Sequence, residues 1–277
     1  MPQRTIVLTG ASDGIGAAAA RELASLGEKV VVVGRSEAKT RAVAEEVGAP
    51  FHVADFSRLD EVRAVADELR SAYPRIDVLA NNAGGIMGRR ELTVDGFEKT
   101  FQVNHLAPFL LTDLLMDTLV TSGSTVINTS SAAARLWGRI DLDDLDNVRS
   151  YSANKAYGDG KLANILFTRE LHRRFHDQGI STAAFHPGPV ATNFAADSTS
   201  PMRFIYRTPL RHLALISPER GADTLVWLAR TTPGTDWHSG QYYEKRRPAR
   251  TSPQADDGAL ASGLWERSAQ MVALPAV

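Results

Sequence analysis

Proton transfer is the chemistry that one tyrosine and one lysine of this chain could support together. Tyr157 and Lys161 are four residues apart in a predicted long helix, and this spacing places two side chains on one helix face with Cβ atoms ~5–6 Å apart. A free tyrosine has a pKa of ~10, which is too high for strong acid–base chemistry at neutral pH. Because a neighbouring ammonium favours the phenolate, this pair could exchange a proton with an alcohol or a carbonyl group.

A second pair has the same spacing. Tyr151 and Lys155 are also four residues apart, and they lie six residues earlier in the chain. An isolated Tyr-x3-Lys is most often an aromatic residue on a helix surface beside a solvated lysine. The spacing alone therefore leaves both pairs open as candidates.

Three glycines could bring the backbone close to a phosphate group. Gly10, Gly14 and Gly16 lie between a β-branched run, Ile6–Leu8, and an Ala-rich segment of helical composition. A glycine has no Cβ, so such a turn lets the backbone approach a pyrophosphate, which the N–H groups and dipole of the following helix then bind. The spacing Gly-x3-Gly-x-Gly differs from the generic G-x-G-x-x-G fingerprint. Its place between a strand and a helix nevertheless predicts a cofactor turn rather than an ordinary one.

The end of the second predicted strand indicates which dinucleotide binds. An acidic residue ~20 positions after the turn would bind the 2′-hydroxyl of an adenosine ribose. Here the strand ends in Gly34 and Arg35, and a guanidinium can pair with a 2′-phosphate instead. Glu37 lies close by, and a plain surface charge is the alternative role for Arg35. We interpret the pattern as a preference for NADP(H) over NAD(H).

Short β-branched runs alternate with longer amphipathic segments along the chain. The run Val30–Val33 is continuously hydrophobic, which is typical of a parallel strand buried on both faces. Strand–helix alternation without an internal linker implies a parallel sheet covered by helices on both faces. Strands are predicted at 6–8, 30–33, 51–54, 76–80, 125–129 and 180–185, and helices at 17–26, 36–47, 59–69, 96–116 with a break near Pro108, and 155–175.

Composition excludes several other classes of protein. The 277 residues are 43% hydrophobic and 23% charged, which excludes a disordered chain or a coiled coil. A formal net charge of −1 gives no electrostatic case for nucleic acid, and the lack of cysteine excludes disulfides and zinc–thiolate sites. No segment resembles a secretory signal or a membrane span, so we expect a cytoplasmic protein. His172 and His176 lie among arginines, and no metal site is predicted.

Several motifs occur in the order and at the spacings of one enzyme family. They are the turn 9–16, Asn81-Asn82-Ala83-Gly84, Ser130-Ser131, Tyr-x3-Lys and Pro187-Gly188. With these motifs the chain resembles the short-chain dehydrogenase/reductase (SDR) family from about Thr5 to Tyr243. The segments 101–106 and 156–164 are similar to its retinol-dehydrogenase-like branch, which includes the WW-domain oxidoreductases. The resemblance implies one α/β domain over 1–277, a Rossmann-type doubly wound sheet of about seven mainly parallel strands with helices on both faces.

The resemblance also distinguishes the two tyrosine–lysine pairs. In this branch an insertion, here 135–156, separates the serine-bearing strand from the catalytic helix, so the family pattern selects Tyr157 and Lys161. It implies that Ser131 polarises the substrate oxygen, with Ser130 as the less favoured candidate. It further implies that Lys161 binds the nicotinamide ribose and lowers the pKa of the tyrosine, and that Asn104 completes a proton relay by holding a water in a kinked helix.

The same resemblance implies a set of cofactor contacts. Asp55 would contact adenine, although capping the next helix is an alternative role for it, and 82–84 would lie along the adenosine and ribose. The segment 187–192 would lie on the nicotinamide side. The predicted cofactor-binding residues are Gly10, Ser12, Asp13, Gly14, Ile15, Gly16, Arg35, Asp55, Phe56, Asn82, Ala83, Gly84, Tyr157, Lys161, Pro187, Gly188, Val190 and Thr192.

Together these features predict an NADP(H)-dependent oxidoreductase that interconverts an alcohol and a carbonyl, with a lipophilic aldehyde or ketone as substrate. Residues 193–217 contain several large apolar side chains and would form a lid over that substrate. The membrane anchor common at the N-terminus of retinol dehydrogenases is missing, which favours a soluble reductase. The alternatives are a non-catalytic NADP(H)-binding sensor or scaffold and, within the same fold, a nucleotide-sugar epimerase.

Two expectations concern the surface. Members of the family often associate through the helices that correspond to 97–120 and 155–175, so a homodimer or homotetramer is expected. The segment 245–262 is predicted to be a surface loop. Its basic cluster, 245–250, could contact a phosphate, but we interpret it as solvated because Asp256 and Asp257 follow closely.

Overall fold

The computed structural model describes residues 3–188 and 216–273, and within them eight strands form one sheet in the order β3-β2-β1-β4-β5-β6-β7-β8. All neighbouring pairs are parallel except β7 and β8. The predicted doubly wound, mainly parallel sheet is therefore confirmed. The strands are β1 (Thr5–Thr9), β2 (Lys29–Gly34), β3 (Phe51–Val53), β4 (Val78–Asn81), β5 (Thr125–Thr129), β6 (Ser181–Phe185), β7 (Gln241–Glu244) and β8 (Arg247–Pro248).

Helices cover both faces of this sheet. One hydrophobic cluster joins it to α3, α5, α8 and α10, and a second joins it to α1, α2 and α9. The helices are α1 (Gly14–Ser25), α2 (Glu37–Val47), α3 (Leu59–Ala72), α4 (Lys99–Phe101), α5 (Ala107–Leu114), α6 (Met116–Ser122), α7 (Ala133–Leu136), α8 (Ala153–Phe175), α9 (Pro218–Arg230) and α10 (Gly258–Met271).

The continuous hydrophobic runs of the central strands follow from this double cover. Successive residues of a strand point to opposite faces. In β1, Ile6 and Leu8 belong to one cluster and Val7 to the other, and all three are fully buried. A strand with helices on both sides therefore has no polar face.

The strand order reverses direction between β1 and β4, which are hydrogen-bonded neighbours. The turn after β1 and the segment after β4 consequently lie side by side at the carboxyl ends of the strands. In open α/β sheets, ligands bind at such a switch point. The topology thus brings residues 9–16 and 82–85 to one edge of the sheet.

The predicted helix 96–116 differs from the observed structure. Gly96 has a φ of +86°, and helical structure begins only at Lys99, where Glu98 caps α4. A π-helical turn, Gln102–Leu106, follows and leads into α5. The break in the helix, predicted near Pro108, thus lies a few residues earlier, in the π-helical turn. Pro108 has no N–H, so the carbonyl of Asn104 lacks the hydrogen bond that it would accept in an α-helix.

The predicted surface loop 245–262 is also more ordered than expected. It contains β8, a 3₁₀ turn at Pro253–Asp256 and the start of α10. Ala255 and Ala261 are buried in the core cluster that includes Trp265, which holds this part of the chain against the sheet. The predicted lid, 193–217, lies outside the described residues except for Ile216 and Ser217.

Candidate active site

The turn after β1 is built around two close backbone approaches. A Cβ on Gly10, whose φ is +64°, would lie 2.7 Å from the Cα of Ala83. A Cβ on Gly16 would collide with the carbonyl oxygen of Gly10 and lie 2.8 Å from the side chain of Asn82. Only glycine permits these approaches, so the residues present fit a cradle for a dinucleotide pyrophosphate at the N-terminus of α1.

Polar side chains brace this cradle. Asp13 caps α1 by accepting a hydrogen bond from the N–H of Gly14 at 2.7 Å, and Lys39 pairs with the same carboxylate at 3.2 Å. A Cβ on Gly34 would lie 2.9 Å from that of Ser12, so Gly34 allows the turn to lie against the end of β2. Ile15 packs partly buried against the α1 side of the core.

The end of β2 presents a cation. Arg35 is exposed directly after Gly34, whereas Glu37 is held in α2 by an ion pair with Arg41 at 2.6 Å. Within the described ranges, Arg35 has no ion-pair partner. The end of β2 therefore carries an exposed guanidinium, and the nearest acidic residue in sequence is already paired.

The segment after β4 is tied to the neighbouring strand ends through Asn82. Its N–H and that of Ala83 both donate to the Thr9 hydroxyl at 3.0 Å. The Asn82 amide group donates to the carbonyls of Thr9 and Gly10, and its oxygen accepts from Thr129. The Asn82 side chain thus fixes the ends of β1, β4 and β5, which leaves the backbone of 82–84 as the surface of the cradle here.

Tyr157 and Lys161 lie together in the buried part of α8. Their exposed fractions are 7% and 1%, and the Lys161 Nζ lies 5.6 Å from the centroid of the Tyr157 ring. The Nζ also donates to the carbonyl of Thr129 at 3.1 Å. Burial lowers the pKa of Lys161 to about 7, because desolvation disfavours the ammonium. This lysine can therefore gain or lose a proton near neutral pH.

The earlier pair has a different environment. Tyr151 precedes α8, which begins at Ala153, so it does not share a helix face with Lys155. Its hydroxyl donates to the carbonyl of Gly88 at 3.3 Å, and burial raises its pKa. Lys155 forms an ion pair with Asp159 instead.

The two serines after β5 have distinct roles. The Ser130 hydroxyl donates to the carbonyl of Lys161 at 2.7 Å, which uses its hydrogen to join β5 to α8. The Ser131 hydroxyl accepts a bond from the N–H of Ala133 at 3.2 Å, so its own hydrogen is not consumed by that contact. Ser131 is also the more exposed of the two.

Asn104, in the π-helical turn, binds the backbone of the irregular segment that follows β4. Its amide group donates to the carbonyls of Gly85 and Thr100 at 2.7 and 2.8 Å, and its oxygen accepts from the N–H of Gly85. A Cβ on Gly84 would lie 2.5 Å from that oxygen and 2.9 Å from the Lys161 Nζ. Gly84 is therefore the point where Asn104 and Lys161 approach the backbone together.

Two further regions, 55–56 and 187–192, were predicted to contact the cofactor, and the structure describes the second only as far as Gly188. Asp55 accepts bonds from the N–H and hydroxyl of Ser57, and Arg58 rather than Asp55 occupies the cap position of α3, so the alternative capping role is wrong. Phe56 beside it is buried. Pro187 and Gly188 follow β6, where the Gly188 N–H donates to His186. Val190 and Thr192 lie outside the described residues.

Sequence reasoning missed a group of buried polar residues behind the pair. Asn164 donates to the carbonyl of Thr129 at 3.1 Å, the same oxygen that Lys161 contacts. His105, in the π-helical turn, is 1% exposed and lies 2.8 Å from the Ser268 hydroxyl. The position of Asn164 almost one helical turn after Lys161 was a usable signal, whereas the contact with Ser268 spans 163 residues and leaves none.

Neither a metal centre nor a membrane span is found in the part of the chain that the structure describes. Histidine and carboxylate side chains there form no group of three that could hold an ion, and no helix has both the length and the hydropathy needed to cross a bilayer. The rings of His172 and His176 are tilted by 38° with centroids 4.4 Å apart, and His172 contacts the Ser239 hydroxyl.

Known proteins resemble this chain over nearly its whole length. The family model of the short chain dehydrogenases matches residues 4–203. The chain is 45% identical to a provisionally named daunorubicin C-13 ketoreductase of Streptomyces sp. (strain C5), over 98% of this chain and 93% of that protein. It is 36% identical to human retinol dehydrogenase 13, over 100% and 86% of the two chains. A crystal structure of an uncharacterised protein from Mycobacterium paratuberculosis matches with a TM-score of 0.78 and 35% identity, covering 98% and 94%.

Proposed function

Because the chain belongs to the short chain dehydrogenase family, we propose that it transfers a hydride between NADP(H) and an alcohol–carbonyl pair, and that it reduces a lipophilic aldehyde or ketone. The names of two relatives refer to a ketone of daunorubicin and to retinol. Both are large compounds with an extensive apolar body, which supports a lipophilic substrate for this chain.

The observation that carries the proposal is the buried pair Tyr157 and Lys161. A tyrosine hydroxyl becomes a useful acid or base only where its environment supplies a cation and excludes water. Here the Lys161 Nζ lies 5.6 Å from the centroid of the Tyr157 ring, and both side chains are almost fully buried. The other Tyr-x3-Lys in the chain has none of these properties.

Each residue has a definite task in this reaction. When bound, the nicotinamide supplies the hydride for reduction and accepts it for oxidation. The Tyr157 hydroxyl gives its proton to the carbonyl oxygen of the substrate, and the Ser131 hydroxyl donates a hydrogen bond to the same oxygen. The Lys161 ammonium stabilises the phenolate that Tyr157 becomes. Asn104 fixes the backbone at Gly85, beside the point where Lys161 reaches Gly84.

The preference for NADP(H) rests on Arg35. An exposed guanidinium at the end of β2, with Glu37 held by Arg41, favours a 2′-phosphate over a free 2′-hydroxyl. We expect Arg35→Asp to raise the KM for NADPH about tenfold or more, because a charge-assisted contact worth ~1.5–3 kcal/mol is replaced by repulsion. The KM for NADH should change less than threefold.

A matched substitution tests whether this effect is local. Arg267→Asp makes the same change of charge on α10, which packs against α8, and the exposed Arg267 donates a hydrogen bond to Gln270 on the same helix. Steady-state kinetics with both cofactors should leave this variant close to wild type. An equal loss of NADPH and NADH use in Arg35→Asp would contradict the assignment.

Substrate screening tests the reaction itself. Aldehydes, ketones and alcohols of graded size and hydropathy are offered with NADPH or NADP⁺, and the absorbance of NADPH at equilibrium and over time is followed. We expect turnover of apolar carbonyl compounds. Saturable NADPH binding without turnover across the whole panel would instead favour a cofactor-binding sensor.

A further inference from the structure

A cavity of about 300 Å³ lies beside the candidate active site, between the start of α7 and the hairpin formed by β7 and β8. Its lining is strongly cationic. It includes four basic side chains, one carboxylate and one buried aromatic ring: Arg135, Lys245, Arg247, Arg250, Glu244 and Tyr242. A volume near 300 Å³ is at the lower end for ligand pockets, so this cavity would take part of a molecule rather than a whole one.

The positive charge of this cavity is not neutralised from within. Among the described residues that line it, Glu244 is the one carboxylate, and that group already lies 3.3 Å from His186 and 3.7 Å from Lys245. In the described ranges, no carboxylate lies within ion-pair distance of Arg135, Arg247 or Arg250. The cavity therefore has an excess of guanidinium groups.

The neighbouring acidic residues do not supply the missing charge. Asp256 pairs with Arg169, and Asp257 accepts a bond from the N–H of Leu260 as the cap of α10. Asp256 and Asp257 therefore do not balance the cluster 245–250, although its basic side chains are exposed to solvent as expected. Arg246, by contrast, is turned away to pair with Asp223 on α9.

The hairpin turn separates these neighbouring cations. Lys245 and Arg246 have φ values of +50° and +60°, the left-handed pair of a two-residue hairpin loop, which usually contains Asn and Gly. The Arg246 side chain points toward α9, where it bonds Asp223, while Lys245 and Arg247 on either side of it line the cavity. Arg250 follows on the same side.

The cavity reaches the reacting end of the sheet from two directions. Ala132 lines it and directly follows Ser131, and His186 lines it and directly precedes Pro187 and Gly188. Its walls are also partly apolar, because the rings of His186 and Tyr242 stack with centroids 6.1 Å apart. A substrate held at Ser131 would therefore extend past aromatic walls to the guanidinium groups.

From this arrangement we propose that the cavity binds an anionic oxyacid group at the distal end of the carbonyl substrate, in practice a carboxylate. Guanidinium groups bind carboxylates through paired, charge-assisted hydrogen bonds. The inference rests on the proposed function and narrows it to apolar carbonyl compounds with an acidic end. Free phosphate has the same chemistry, so the test must distinguish the two sources.

Two aldehydes that differ in the charge of one end, and otherwise only in a methyl group, provide the kinetic test. 4-Formylbenzoate carries the carboxylate, and its methyl ester does not. With NADPH, we expect wild-type kcat/KM to be at least tenfold higher for the acid, mainly through KM. In the variant Arg247→Gln/Arg250→Gln the acid-to-ester ratio should fall about tenfold, whereas Arg267→Gln on α10 should leave it unchanged. Equal use of acid and ester by the wild type would overturn the proposal.

Equilibrium binding separates this proposal from the enzymatic one. Terephthalate cannot be reduced under these conditions, and its binding is measured by titration calorimetry with and without inorganic phosphate. We expect saturable binding that weakens about tenfold in the double variant and that phosphate displaces only at much higher concentration. Binding without reduction of either aldehyde would leave the anion site standing and remove the proposed reaction. Unaltered terephthalate binding in the double variant, or tighter binding of phosphate, would refute the site.

Discussion

The glycine cradle, at the cofactor end of this site, and the surroundings of Tyr157 and Lys161, at the reacting end, are formed by different kinds of groups. At the cofactor end, the turn after β1 meets the segment after β4 through backbone contacts that only Gly10 and Gly16 permit. At the reacting end, the Tyr157 ring and the carbonyl of Thr129 contact the Lys161 Nζ, and the Asn104 side chain approaches Gly84 beside it. One end depends on the lack of side chains, and the other depends on buried polar ones.

This difference determines how each end responds to change. A backbone cradle has no titratable group of its own, so it should be sensitive to added volume and indifferent to pH. Buried polar side chains are costly to desolvate, and their pKa values shift as a result. The reacting end should therefore be sensitive to the loss of single atoms and to pH.

Removal of one oxygen from the reacting end should have the largest effect. Tyr157→Phe deletes the hydroxyl that we assign as the proton donor while keeping the buried ring. General acid catalysis contributes ~10²–10⁴-fold to the rate, so kcat should fall by about 10³-fold. The affinity for NADPH, measured by fluorescence titration, should change little, because the cradle is built from backbone elsewhere.

Tyr151→Phe is the matched control for this prediction. It removes the same atom from the other Tyr-x3-Lys, where the hydroxyl contacts the carbonyl of Gly88 and the side chain of Thr100. Its kcat should stay within about twofold of wild type. If Tyr151→Phe were inactive and Tyr157→Phe active, the assignment of the two pairs would be reversed and the buried lysine would have another role.

Added volume tests the cofactor end. Gly16→Ala places a methyl group against the carbonyl oxygen of Gly10 and near Ala11 and Asn82. Overpacking of this kind costs ~1–3 kcal/mol, so urea unfolding should show a lower stability and NADPH should bind at least tenfold more weakly. Gly258→Ala is the control, since a Cβ there meets no heavy atom within 4 Å. Unchanged NADPH affinity in Gly16→Ala would mean that the cradle does not hold the cofactor.

The same contrast explains what the sequence could predict. The six predicted strands are all present, because a strand buried on both faces must be hydrophobic throughout, as Val30–Val33 is. Membership of the short chain dehydrogenases, including the retinol-dehydrogenase-like branch, is confirmed by the matches to known proteins. Strands β7 and β8 were not among the predicted positions, and a two-residue strand such as β8, after Lys245 and Arg246, has no hydrophobic period to detect.

Prediction of the site itself was limited to local patterns. The glycine turn and the Tyr157–Lys161 spacing are short-range, and the structure brings each set together. The π-helical turn around Asn104 and the contact between His105 and Ser268 depend on partners far away in sequence. The expected pairing of the basic cluster with Asp256 and Asp257 failed for the same reason, because the partners of these aspartates are set by tertiary packing.

The smallest expected effect concerns pH at the reacting end. Burial lowers the pKa of His105 from its usual 6.5 to about 4, because the ring lies in an aromatic cluster away from water. The unfolded chain therefore binds a proton at pH 5 that the folded chain does not. The contribution of this histidine to stability is complete above pH 6.5 and is lost as pH falls from there toward pH 4. Between pH 7 and pH 5 the loss amounts to about 2 kcal/mol.

His105→Gln isolates that contribution, since glutamine can keep a hydrogen bond to Ser268 but does not titrate. Urea unfolding at pH 7 and pH 5 gives the free energy of unfolding of both proteins. The variant should be less stable at pH 7, yet its loss of stability on acidification should be smaller than that of the wild type by about 2 kcal/mol. If the free energy of unfolding fell equally in the two proteins between pH 7 and pH 5, His105 would be protonated at pH 5 in the folded protein as well.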